Sequence, residues 1–245
     1  MRKSCTAEWE VFMFLCSLLT VSDDTTKIVT VVSAVACVLL LAVIALLCFK
    51  KNGGRYETKH IAFAGVALAA SFVLSYLKVS PVLYGGSITL ASFVPILLYA
   101  YVYGALDGLL VGLIFGLLNF ISSPYILTPM TFILDYLLAF ASIAVIGFFN
   151  KGKLAEKSPT LSFTLGCIAV YITRFIFHLF SGFIYFAQGA IWVEFPAWAV
   201  NGAFIYSFIY QCVYLPADCL IACIVGALLT KTGVLTRLEN MMKKG

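Results

Sequence analysis

Seven runs of apolar residues dominate this chain, at about residues 28–49, 61–77, 88–103, 106–121, 129–149, 161–186 and 201–229. Each is long enough to be read as a helix crossing a hydrocarbon layer of about 30 Å. A barrel strand would need only about 9–11 residues of alternating polarity, a pattern these runs lack. Inside a bilayer every backbone N–H and C=O must be satisfied within its own segment, so runs of this kind are restricted to helices. Hydrophobic residues make up 62% of the chain and charged residues 11%, against about 45–50% and 25% in a soluble domain. The expectation is an all-α polytopic membrane protein.

The basic residues orient it. Lys50, Lys51, Arg55 and Lys59 fall between the first two runs, and Lys151, Lys153 and Lys157 between the fifth and sixth. Lys231, Arg237, Lys243 and Lys244 follow the last. With seven spans these segments share one side, read as cytoplasmic. The alternate loops at 79–87, 122–128 and 187–200 carry no lysine or arginine and face outward. The N-terminus is then outside and the C-terminus cytoplasmic, with Arg2, Lys3 and Lys27 in mild dissent. The net charge of +5 belongs to loops and forms no nucleic-acid face. The first span, set apart by Asn52-Gly53-Gly54, reads as an added helix within an N-terminal extension (1–59). A six-helix membrane domain (60–231) and a basic cytoplasmic tail (232–245) follow. The stretch 11–21 is too short to span and is read as interfacial, since no clean cleavage site follows it.

Three polar side chains interrupt the apolar helices. Asp135 lies within Thr131-Phe-Ile-Leu-Asp-Tyr-Leu-Leu-Ala-Phe140, where a charge costs roughly 2.5–3.5 kcal/mol on insertion scales and marks function or an ion pair. With His178 and Gln211 it lies about two to three turns from the outer ends of the helices. Equal depth lets the three converge on one outward-facing site. Arg174, His178, Gly182 and Phe186 follow i, i+4 spacing and share one helix face, as one wall of a polar cavity. Arg174 is expected to pair with Asp218 on the last span in a structural role. Aromatics crowd the outer loops (Tyr84, Tyr125, Tyr185, Trp192, Trp198). Some are belt residues. Together with a buried acid, such rings suit a small, flat, cationic solute.

Gly104, Gly108, Gly112 and Gly116 repeat every four residues and leave a groove for a neighbouring backbone, read as packing. Ala62, Gly65 and Ala69 give the second span another small-residue surface. It is either internal packing or a docking face for a partner subunit. The eight cysteines are scattered without a Cys-x-x-Cys pair and read as small apolar fillers, with no metal and no cofactor implied. No metalloprotease, nucleophile-elbow or Walker motif occurs, so no catalytic function is expected and any energy coupling comes from ions or partners.

In order along the chain come Gly85-Gly86-Ser87-Ile-Thr-Leu, the glycine ladder and Leu134-Asp135-Tyr136-x-x-Ala-Phe140. Arg174-Phe-x-x-His178-x-x-x-Gly182 and Tyr206-Ser207-x-x-Tyr210 follow. This series, spanning about residues 60–231, resembles the thiamine-binding S component of energy-coupling factor vitamin transporters. The resemblance implies a six-helix core that binds thiamine near the outer surface. It also implies a transmembrane T component and two ATP-binding subunits that power uptake. Family binding positions fall on Tyr125, Asp135, Tyr136, His178, Gly182, Phe186, Tyr206 and Gln211. The acid would hold the aminopyrimidine or balance the thiazolium, with His178 and the aromatics stacking on the rings. Two departures stand out. Gln211 replaces a family asparagine, and its extra methylene moves the amide by about one bond, which weakens binding or favours a related pyrimidine. The family's first-loop tryptophan has no counterpart here. A stand-alone proton-coupled carrier acting through Asp135 and His178 is the competing class, and it calls for inverted repeats and broken helices. A membrane sensor or scaffold, with the polar trio as structural glue, is a third.

Overall fold

The computed structural model describes residues 58–83, 86–122, 129–187 and 202–243. The added helix at 28–49, the interfacial stretch at 11–21, Tyr84, Tyr125, Trp192 and Trp198 lie outside the described residues. The chain folds as helix α1 (Thr58–Tyr76), strands β1 (Lys78–Leu83) and β2 (Gly86–Thr89), helix α2 (Val94–Tyr103) and helix α3 (Ala105–Ser122). Helix α4 (Met130–Phe148), the short α5 (Lys153–Lys157), α6 (Pro159–Ala187), α7 (Ala203–Lys231) and α8 (Val234–Lys243) complete it. Helices α1, α3, α4, α6 and α7 are long and apolar enough to cross a membrane.

The expected span at 88–103 is corrected. Its first residues pair as an antiparallel hairpin, with Lys78 opposite Thr89 and Ser80 opposite Ile88, and helix begins only at Val94 with Pro95 in its first turn. Proline suits that turn because its φ is already helical and its missing N–H would be unpaired there anyway. The resulting 10-residue helix is about 15 Å long at 1.5 Å per residue, half a bilayer. Its two ends are set by strained or permissive backbone, Ala91 at φ 56° and Gly104 at φ 104°. What α2 lacks in length it makes up in burial. Ile96, Leu97 and Ala100 are fully enclosed, as befits a helix apolar on every side.

The glycine ladder divides by role. Gly104 caps α2 and is not part of α3. Gly112 and Gly116 press α3 against α4, where an added Cβ would collide with the carbonyl oxygens of Phe140 and Tyr136. At Gly108 it would meet Ala100 Cβ at 2.8 Å. These contacts lie at the unusual part of α4, a π-helical turn over Ile133–Leu138 followed by a 3-10 stretch over Ser142–Phe148. A π turn widens the helix by one residue, is rare, and occurs frequently at functional sites. Asp135 sits within it. Gly116→Ala is therefore expected to destabilise the bundle by about 1–3 kcal/mol through overpacking against backbone, read as a lowered unfolding temperature in detergent. Gly65→Ala, where nothing lies within 4 Å of the new carbon, serves as the unobstructed control and should hold or raise the unfolding temperature through helix propensity.

The segment read as a basic tail is helical in α8, with Leu235 2% exposed and Leu238 packed on the core. At the same end of the bundle the His60 ring meets Tyr103 edge-on, with centroids 3.6 Å apart.

Candidate functional site

Helices α4, α6 and α7 bring the polar residues together. His178 Nδ1 donates to Asp135 Oδ1 at 2.7 Å, and Ser181 Oγ donates to the other carboxylate oxygen at 2.6 Å. Arg174 Nε donates to His178 Nε2 at 3.2 Å. From α7, Gln211 Nε2 donates to the His178 backbone carbonyl at 3.2 Å, and its Oε1 accepts from Tyr214 OH at 2.6 Å. The Asp135 side chain is 20% exposed and that of His178 12%. A carboxylate with two hydrogen bonds and residual exposure is held in place while keeping lone pairs for a further donor.

The expected trio is assembled in two ways. Asp135 and His178 meet through their side chains. Gln211 joins through the backbone of His178, and its extra methylene lets one amide span from the Tyr214 hydroxyl on its own helix to the carbonyl on α6. Gly182 makes this approach possible: a Cβ there would strike Ser207 Oγ and lie 3.3 Å from Gln211 Nε2. Ser207 reinforces the seam by donating to the Leu179 carbonyl at 2.8 Å. Phe186 packs edge-on against Tyr206, centroids 4.2 Å apart, and against Tyr210 at 5.7 Å. Tyr136 packs with Phe120 and Phe132 at 5.2 and 5.9 Å. Ser181 and Tyr214 escaped the sequence reading, although each stands three residues beyond a recognised site residue on the same helix face.

The expected Arg174–Asp218 pair does not form. Asp135 faces the His178 imidazole at 2.7 Å, and neither membrane acid is paired with Arg174. Asp218 is instead saturated by neutral donors: Tyr171 OH at 2.7 Å, Thr89 Oγ1 at 2.9 Å and Thr89 N–H at 3.1 Å. The Arg174 guanidinium lies over the rings of Phe93 and Phe140, 4.1 and 5.0 Å from their centroids. Two aromatic faces and an imidazole replace the anion as its partners. Asp218 thus ties the base of the hairpin to α6 and α7. The Cys219 and Cys223 sulfurs lie 4.0 Å apart, and no metal-holding cluster occurs among the described residues.

Residues 61–237 match the family model described as thiamine transporter protein (Thia_YuaJ). The chain belongs to this family. The match takes in every described site residue and leaves the N-terminal extension outside. The thiamine transporter ThiT of Bacillus subtilis (strain 168) is 30% identical over 158 residues, covering 60% of this chain and 77% of its own length. Among solved structures, ThiT from Listeria monocytogenes superposes with a TM-score of 0.59 at 26% identity, over 71% of this chain and 93% of that one. The chain is accordingly a multi-pass membrane protein of a thiamine transport family.

Proposed function

We propose that this chain is the substrate-binding subunit of an energy-coupling factor transporter, capturing thiamine from outside for ATP-driven import by partner subunits. The observation that carries the reading is the Asp135 carboxylate. It is held at membrane depth by His178 and Ser181, yet remains partly exposed. Thiamine offers a fixed thiazolium charge and an exocyclic amine on its pyrimidine. A carboxylate answers both, by Coulomb attraction and by a charge-assisted hydrogen bond. Phe186, Tyr206 and Tyr210 gather next to Gly182 and Gln211 and, with Tyr125 and Tyr136, would furnish aromatic surface for the two rings. In this reading ATP hydrolysis falls to two partner ATPases joined through a transmembrane T component.

Orientation follows the basic residues. Lys151, Lys153, Lys157, Lys231 and Arg237 are all exposed and would face the cytoplasm with the C-terminus. The binding site then lies in the outer half. Ala62, Gly65 and Ala69 are exposed on α1, with Val66 and Val73 beside them at 66% and 64% exposure. That small-residue face is where the T component would dock, since backbones approach closely only where side chains are short. Gly65→Leu is expected to leave thiamine binding unchanged and to abolish uptake by the assembled transporter.

The experiment is thiamine uptake into proteoliposomes. Uptake that requires T component, ATPases and ATP agrees with the proposal. Uptake by this chain alone, driven by a proton gradient, would replace it with a secondary carrier in which the Asp135–His178 pair moves protons.

A further inference from the structure

An arginine Nε always carries its hydrogen, and a guanidinium accepts none. The contact between Arg174 Nε and His178 Nε2 therefore requires a lone pair on Nε2. A neutral imidazole has one N–H, so the hydrogen lies on Nδ1, facing Asp135 Oδ1. The directions of three hydrogen bonds are fixed together: Arg174 to His178, His178 to Asp135, and Ser181 to the second oxygen of Asp135. Arg174 itself lies against the stacked rings of Phe93 and Phe140 and so keeps its donor aimed.

Protonating Nε2 would set N–H against N–H and cation against cation. Of the titratable and charged groups around His178, the Asp135 carboxylate opposes the lock by favouring an imidazolium, but it faces Nδ1 and not Nε2. Asp135 on α4 already receives Nδ1, and Tyr136 packs toward Phe120 and Phe132. On α6, Tyr171 is bonded to Asp218. On α7, Tyr214 is bonded to Gln211, Tyr210 packs on Phe186, and Asp218 is occupied by Tyr171 and Thr89.

We propose that Arg174 is a positioning residue that locks His178 as the neutral Nδ1–H tautomer, which keeps the charge of Asp135 available to a cationic ligand across the pH range near neutrality. This rests on thiamine binding at Asp135. An imidazolium in the same place would consume that charge and, with Arg174, turn the site net positive toward the thiazolium. Without the lock, affinity would fall as pH drops and His178 gains its second proton.

Two measurements test it. Nitrogen-15 spectra of histidine-labelled, ligand-free protein carrying His60→Gln report on His178 alone. Near neutral pH the expected state has a protonated Nδ1 and a bare Nε2, and an Nε2–H tautomer or an imidazolium overturns the proposal. The second is the thiamine Kd between about pH 6 and pH 8, where an ordinary imidazole titrates. Wild type should vary by less than about twofold, while Arg174→Met, lacking the donor, should weaken about fourfold toward the acid end. Arg174→Lys, which retains a donor, should restore the flat profile. A flat profile in Arg174→Met overturns the assigned role. Wild-type protein that binds no thiamine at any pH refutes the functional reading instead, and the spectra alone then decide the tautomer.

Discussion

Asp135→Asn is expected to weaken thiamine binding by about 1.5–3 kcal/mol, roughly ten- to a hundredfold in Kd, without unfolding the protein. The substitution keeps the size of the side chain and leaves an oxygen to accept from His178 Nδ1. It removes the negative charge and replaces the oxygen facing Ser181 with an amide donor. Ser181 can rotate its hydroxyl, and the site is 20% exposed at this residue, so the structural penalty is small. The electrostatic one is not, because the ligand's thiazolium charge is permanent and the acid is the anion at this depth. An unfolding temperature close to wild type, combined with the loss of affinity, separates binding from stability. Ser181→Ala should follow in the same direction with a smaller effect, since it removes one hydrogen bond and no charge.

The second large effect is on stability and concerns the other membrane acid. Asp218→Leu is expected to destabilise the bundle by about 3 kcal/mol or more. Each buried donor left without an acceptor costs about 1–3 kcal/mol. Tyr171 OH and Thr89 N–H both lose their recorded partner, while Thr89 Oγ1 retains Ser92 at 2.7 Å. Asp218 is 4% exposed and Tyr171 likewise, so water cannot easily substitute. Tyr171→Phe strands no donor but leaves the buried Asp218 Oδ2 without its hydrogen bond, and should cost less than Asp218→Leu, about 1–3 kcal/mol. Unfolding temperatures rank the two. Hydrogen exchange at the Thr89 amide reports the mechanism: it should accelerate sharply in Asp218→Leu and hardly change in Tyr171→Phe. Equal protection of Thr89 in all three proteins would show that the hairpin base is held by something other than this carboxylate.

The residues differ in how openly they declared these roles. Long apolar runs located α1, α3, α4, α6 and α7 to within a few residues, because a membrane helix is specified by length and hydropathy alone. The same signal misjudged α2, since an apolar run reads identically whether it crosses a bilayer or is buried in protein. The strand pairing and the turn at Ala91 that shorten α2 depend on Asp218, 127 positions beyond Ala91. The π turn around Asp135 was equally invisible, for it arises where α3 glycines admit the α4 carbonyls and no local pattern encodes it. Depth along the helices correctly suggested that Asp135 and His178 could meet. For Arg174, depth and opposite charge suggested Asp218. What prevailed was a set of three neutral donors around the acid and two aromatic rings around the cation, a choice set by tertiary packing. Ser181 and Tyr214 were legible in principle from i+3 spacing to His178 and Gln211. Serine and tyrosine are too common in such helices for spacing alone to single them out.

The central claim is that this carboxylate-centred site binds thiamine. The most direct measurement is a titration of the purified, thiamine-depleted protein with thiamine, followed by quenching of its tryptophan and tyrosine fluorescence, in wild type and in Asp135→Asn. The account predicts saturable 1:1 binding with a Kd below micromolar in wild type and a clear loss in the variant. No saturable quenching below micromolar thiamine, or the same affinity in both proteins, would contradict it.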